Sequence, residues 1–287
     1  MILFDRLVDE ALRATPDLAP LRAVVEKELL HHDILREMSA AGMLSRLTFI
    51  GGTCLRACHG SPRLSEDLDF AGGTGFSHKS LTDLGRILVD RLQTKYSLKV
   101  SVTEPVRDAA VDTWKLTVVT RPGRRDLPPQ KIHIDICAVP SHDRRPMMLR
   151  NTYGVDMGTA GLILQTASRE EILADKIVAL AFRSNRVKNR DLWDIAWLRQ
   201  RGVELPALLI PIKIADHRRT PAEFASHLRI RLADLKTNPA TRKAFAAEMQ
   251  RFLPPRLADD TLSRNDYWTY LLGLLDEETR RALAAFG

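Results

Sequence analysis

The sequence predicts an α+β protein: an α/β-type N-terminal domain built on a mixed sheet, followed by a mainly helical C-terminal domain. Three observations carry this. Between Leu47 and Val139, short apolar or alternating runs recur with helical segments among them, as strands and helices sharing one sheet would. From Ser168 the pattern turns helical, opening on Ser168-Arg169-Glu170-Glu171, the composition of a capping box. At 287 residues the chain can hold two cores. The domains are placed at residues 1–165 and 166–287.

The elements follow in order. Residues 18–42 read as an amphipathic helix, with Leu21, Val24, Val25, Leu29, Ile34, Leu35 and Met38 near helical spacing, and Gly42 offers a stop. Leu47–Ile50 is a short strand, Thr53–His59 a helix and Glu66–Phe70 a second strand. A Gly-rich loop, Ala71-Gly72-Gly73-Thr74-Gly75, leads to a helix near Lys79–Tyr96. Leu98–Thr103, Val111–Thr120 and Lys131–Val139 then read as strands of one sheet. Beyond Ser168 the sequence gives a helix to about Arg183 and another over Asp191–Arg199. More helices run to the end, with Pro211, Pro221, Pro239 and Pro254-Pro255 assigned to their loops.

The chemistry concentrates in Phe49–Phe70, FIGGTCLRACHGSPRLSEDLDF. An apolar strand ends in Gly51-Gly52-Thr53, where backbone N–H groups can approach a phosphate without an intervening Cβ. In Glu66-Asp67-Leu68-Asp69-Phe70 the period of a strand sends Asp67 and Asp69 to one face and Leu68 and Phe70 to the other. Two residues of strand rise separate the carboxylates by about 7 Å, close enough for both to turn onto one divalent ion or a close pair. Mg²⁺ takes oxygen ligands and commonly shares them with substrate phosphates, with Mn²⁺ as the alternative ion. A Gly-Gly is usually only a turn and an Asp-x-Asp arises often by chance; the ordered combination is what is specific.

A third carboxylate lies in Lys131-Ile132-His133-Ile134-Asp135-Ile136-Cys137, where the isoleucines take one face and Lys131, His133 and Asp135 the other. By itself this is an exposed strand face carrying ordinary polar residues. In the helical half, Leu173, Ile177 and Leu180 form an apolar stripe, and Lys176 and Arg183 lie seven apart on nearly one face.

Gly-Gly-Thr followed by Ser65, Asp67, Asp69 and Phe70 resembles the N-terminal motif of the AbiEii/AbiGii toxin family, MenT-like nucleotidyltransferases of the DNA polymerase β superfamily. The resemblance continues in a helical Lys followed by Arg-Asp-x-x-Asp, matched by Lys176, Arg190, Asp191 and Asp194. It covers about half of the chain, from Leu47 to Leu198. It implies a polymerase β-like domain, an NTP as substrate, Lys176 against the triphosphate and Asp191 in the active site, both contributed by the helical domain. It also implies a third carboxylate from a neighbouring strand, matched by Asp135, either as a metal ligand or as the group accepting the attacking hydroxyl's proton. Gly51, Gly52, Thr53 and Ser65 would then line the nucleotide, Ser65 either holding phosphate or serving as a site of modification. A toxin of a toxin–antitoxin pair is implied, with an antitoxin protein as partner and, for some relatives, the 3′ end of tRNA as acceptor.

Composition is compatible with this. Lys and Arg number 43 against 36 Asp and Glu, giving a net charge of +7, which favours a polyanionic partner. Basic segments at Arg121-Pro122-Gly123-Arg124-Arg125, Arg144-Arg145, Arg186–Arg190 and Arg218-Arg219 suit an RNA backbone. The spacing of Cys54 and Cys58 is not that of a zinc or redox motif. No signal peptide and no run of eighteen apolar residues is visible, so a cytoplasmic protein without a membrane span is expected. Rival readings are transfer to a protein or small molecule, and a non-catalytic nucleotide- or RNA-binding module. Retention of Asp67, Asp69, Lys176 and Asp191 together argues against the module. A metal-dependent nuclease would leave the Gly-Gly-Thr turn and Lys176 unexplained.

Overall fold

A computed structural model describes residues 2–107, 109–124, 126–183 and 187–286. Arg125 and Arg186, each part of a basic stretch, lie outside them. The chain divides into two compact units, one ending at Thr166 and the other beginning at Ala167.

The first unit opens with α1 (Leu3–Ala14) and α2 (Arg22–Ala40), joined by a 3₁₀ turn at Pro16–Leu21. Then come β1 (Thr48–Ile50), α3 (Gly51–Ala57), β2 (Leu68–Ala71), α4 (Leu84–Tyr96), β3 (Val100–Thr103), β4 (Val111–Val118), β5 (Gln130–Cys137), β6 (Arg144–Met148) and β7 (Ile163–Ala167). Among the described residues these form a seven-stranded mixed sheet in the order β3-β4-β5-β2-β1-β7-β6. β2 runs antiparallel to β1 and parallel to β5, and β4 runs antiparallel to β3 and β5.

Alternation decides which side chains enter the core. Trp114, Leu116 and Val118 of β4, Ile132, Ile134 and Ile136 of β5, and Leu68 and Phe70 of β2 are all buried, whereas Thr113, Lys115, His133, Asp69 and Asp135 project from the opposite face and keep solvent access. Phe49 and Phe70, facing each other across β1 and β2, bring their rings to 5.2 Å.

α2 departs from the amphipathic helix expected from its spacing. Glu26, Glu28, His31, His32 and Asp33 are buried beside its apolar residues. Each buried acid is matched by donors from elsewhere, as an unpaired charge would be costly. Glu26 receives Thr120, Gln130 and Arg121 at the ends of β4 and β5. Asp33 receives Lys95 at 2.6 Å and Tyr96 Oη at 2.5 Å from α4.

The second unit is helical: α5 (Arg169–Phe182), α6 (Asn189–Gln200), α7 (Leu209–Asp216), α8 (Pro221–Thr237), α9 (Pro239–Met249), α10 (Pro255–Leu262) and α11 (Asn265–Ala284). Ser168 caps α5 by accepting from the Glu171 N–H at 3.0 Å. The Glu171 carboxylate pairs with Lys213 of α7. Pro221, Pro239 and Pro255 open helices at their first position, where the missing N–H costs nothing; their assignment to loops is corrected accordingly. Pro211 sits within the first turn of α7. No helix among the described residues is long and apolar enough to cross a membrane.

Candidate active site

β1 delivers the chain to Ile50, opposite Asp69 of β2. Gly51 follows at φ +76°, and a Cβ built on it would stand 2.7 Å from Asp69 Oδ2. The Asp69 carboxylate therefore rests on the Gly51 backbone, an approach that only glycine permits. The first turn of α3 thus begins at Gly51 itself, two residues before the expected helix start, and lies against an acidic side chain. Gly52 is crowded on its other side. A Cβ there would meet Arg63 Nη2 at 2.2 Å, and Arg63 is only 2% exposed.

The strand carrying the acidic pair starts at Leu68, so Asp67 stands at its entrance. Asp67 Oδ1 accepts from the His133 backbone N–H at 3.0 Å and lies 3.4 Å from His133 Nδ1. Asp69 faces Asp135 directly in the parallel β2–β5 ladder. On the far side of Asp135 stands Thr113 of β4, whose Oγ1 donates to Asp135 Oδ1 at 2.7 Å. Asp67, Asp69 and Asp135 are all half-buried. Neighbouring strands lie about 4.8 Å apart, so the polar face holds one carboxylate pair across strands and another along β2.

Thr53 and Ser65 are both buried; the Thr53 hydroxyl donates to the Asp67 carbonyl, and its Oγ1 lies 2.7 Å from the Ser65 hydroxyl. Their hydroxyls tie α3 to the acidic loop, leaving the backbone of Gly51–Thr53 as the part of that turn able to meet a phosphate.

Among the described residues no three His, Cys, Asp or Glu side chains are grouped to hold a metal ion. A hard divalent ion that completes its shell with water and substrate phosphate needs only one or two carboxylates. Asp67 and Asp69, all-oxygen donors beside a glycine turn, fit that requirement.

In the second unit the lysine and aspartates of the sequence motif meet. Lys176 Nζ lies 2.5 Å from Asp191 Oδ1 and 3.0 Å from Asp194 Oδ2, and Arg183 reaches Asp191 Oδ2 at 2.8 Å. Burial works to raise the Asp191 pKa, but the charges of Lys176 and Arg183 outweigh it and hold it down at about 2. Asp194, the last residue of the Arg-Asp-x-x-Asp motif, is fully buried; its i, i+3 spacing from Asp191 turns it onto the same lysine. Thr113 and Arg63 also join the site's framework, and nothing in their local sequence marks them, because their partners are distant in the chain; His133, placed on the polar face of β5, meets Asp67.

The basic segments divide. Arg121 is committed to Glu26, and Arg190 lies 3.5 Å from Glu248 with its guanidinium over Phe252. Arg144, Arg145, Arg218 and Arg219 are exposed.

Comparison with known proteins supports one lineage. In structure the chain is similar to MenT4, a nucleotidyltransferase toxin from Mycobacterium tuberculosis H37Rv, at 14% identity and a TM-score of 0.58 over 97% of this chain and 93% of that one. It is also similar to JHP933 from Helicobacter pylori, at 15% identity and a TM-score of 0.50 over 92% and 94% of the two chains. At such identities the likeness carries the fold. No curated protein sequence gives a significant match. Residues 33–271 match the family model described as nucleotidyl transferase AbiEii toxin, type IV toxin–antitoxin system. That match spans well over half of the sequence, and the chain belongs to the AbiEii nucleotidyltransferase toxin family.

Proposed function

We propose that the protein transfers a nucleoside monophosphate from an NTP to the 3′ end of a tRNA. The observation that carries this reading is the contact of Asp69 with Gly51, which joins a metal-binding carboxylate to a backbone turn open to phosphate. Gly51, Gly52 and Thr53 offer N–H groups to the triphosphate. Asp67 and Asp69 would hold Mg²⁺, or Mn²⁺ in its place, and an ion there would neutralise charge developing on the phosphates. The acceptor hydroxyl attacks the α-phosphorus, the bond to the β-phosphate breaks, and pyrophosphate leaves with the bonding electron pair. Asp135 takes the hydroxyl proton, its orientation fixed by Thr113.

Lys176 and Asp191 are retained as the triphosphate-contacting lysine and its carboxylate partner on the family resemblance. Two carboxylates lie around the ammonium, and a cation brought to the triphosphate would stabilise a leaving pyrophosphate. The exposed arginines favour a polyanionic acceptor. An antitoxin partner and a cytoplasmic site of action belong to the same proposal.

The acceptor is tested by incubating the protein with each α-labelled NTP, Mg²⁺ and total tRNA, then with protein extract or small-molecule fractions in place of tRNA. Label should move to tRNA, and Asp67→Ala with Asp69→Ala should abolish it. Label found only on protein or small molecules would replace the tRNA acceptor.

A further inference from the structure

The acidic loop is held from behind by α2. Glu28 Oε1 accepts from the Ser65 backbone N–H at 2.8 Å. Its Oε2 accepts from Arg56 Nε at 3.0 Å and from the Tyr153 hydroxyl. The next residue, Glu66, pairs with Lys27 at 2.8 Å, and its carbonyl lies 3.0 Å from His31 Nε2. Thr53 then holds the Asp67 carbonyl. Three successive residues, Ser65 to Asp67, are thus pinned by their backbones to two helices, and Asp67 is the first whose carboxylate turns to the polar face.

These contacts are buried. Glu28 is 5% exposed and His31 3%. A cavity of about 20 Å³ lies among Glu28, His31, Leu35, Arg56, Leu149 and Tyr153, room for about one water. His31 can meet a carbonyl only as a donor, so Nε2 carries the proton and the buried Nδ1, which has no protein partner, is an acceptor facing inward. Burial lowers the His31 pKa, in keeping with a neutral ring.

We propose that Glu28 is a positioning residue for the metal-binding aspartates: it fixes the Ser65 amide and thereby the approach of Asp67, without touching substrate. Glu28 faces Arg56, whose guanidinium also reaches the Ser61 carbonyl at 3.2 Å, so both ends of the loop from Ser61 to Ser65 are tied to one carboxylate. An apolar residue at this point would leave the Ser65 amide without its acceptor and take from Arg56 its carboxylate partner. The proposal rests on Asp67 and Asp69 holding a divalent ion with the nucleotide.

The test is Mn²⁺ binding by calorimetry to the full chain in the presence of a non-reacting NTP analogue, a readout independent of turnover. Glu28→Gln should weaken Mn²⁺ affinity about tenfold or more, as loss of a group that orients metal ligands typically does. Circular dichroism should stay as in the parent, and hydrogen exchange at the Ser65 amide should quicken. Should Glu28→Gln fail to fold, Glu28→Asp keeps the charge facing Arg56 but shortens the reach to Ser65, and should show the same loss. A folded Glu28 variant with parental Mn²⁺ affinity would overturn the proposal. Absence of Mn²⁺ binding by the parent protein would instead sink the metal reading on which it rests.

Discussion

Asp69 and Asp135 face each other across the parallel β2–β5 ladder, the first resting on the Gly51 backbone and the second accepting from Thr113. Each carboxylate is thereby oriented by a different neighbour, and the pair can take different roles: one toward an ion and phosphate, the other toward a proton.

This division predicts distinct kinetics. Under the proposed transfer, Asp69→Asn should lower activity by about a hundredfold or more by removing a ligand of the proposed divalent ion. Asp135→Asn should lower kcat by about a hundredfold with the KM for NTP nearly unchanged, as loss of a proton acceptor does. Thr113→Ala should lower kcat only several-fold by letting Asp135 turn. Steady-state kinetics on the three variants checks the order.

Gly51 is predicted to be irreplaceable for a reason separable from backbone strain. Gly51→Ala places a side chain at φ +76° and drives it into Asp69, whereas Gly42→Ala meets a similar φ of +72° in open space. Both should lose about 1–2 kcal/mol for the left-handed backbone. Only Gly51→Ala should also lose nucleotide binding, measured by calorimetry alongside thermal unfolding.

Asp191 predicts an acid-side stability change. Burial alone would raise its pKa, but Lys176 and Arg183 bring it to about 2 in the folded chain, against about 3.9 when unfolded. The unfolded state therefore binds this proton first on acidification. Its contribution is complete above about pH 4 and is lost as pH falls toward 2, a change of about 2 kcal/mol. Urea titrations over this range should show that slope, and Asp191→Asn should flatten it.

Lys176→Met should destabilise the second unit by about 3 kcal/mol, because it leaves Asp191 and Asp194 buried with one cation fewer. Adding Asp194→Leu should restore part of that loss. Denaturant midpoints of the single and double variants decide it.

Much of this arrangement is legible in the sequence where the signal is local. The alternation of Ile132, Ile134 and Ile136 against His133 and Asp135 marks β5 and its polar face, and Ser168 marks the start of α5. What is lost is non-local. The pairing of Asp69 with Asp135 depends on register between strands far apart in the chain. The burial of Glu26, Glu28 and Asp33 depends on donors from other elements, so α2 looks like a helix with one wet face. β6 escapes notice because Arg144-Arg145-Pro146 at the sheet edge carries charge and proline in place of an apolar alternation, and α1 escapes because its buried Phe4, Val8 and Ala11 are few. Prolines at the first turn of α8, α9 and α10 punctuate the sequence as loop residues do, yet start helices.

Nucleotidyl transfer breaks the bond between the α- and β-phosphates. The most direct measurement follows an NTP labelled at the α-phosphorus beside one labelled at the γ-phosphorus, with tRNA and Mg²⁺. The α-label should pass to the acceptor while the γ-label appears as pyrophosphate, and both should stop in Asp67→Ala, Asp69→Ala protein. A γ-label that moves to an acceptor or emerges as inorganic phosphate would contradict the account.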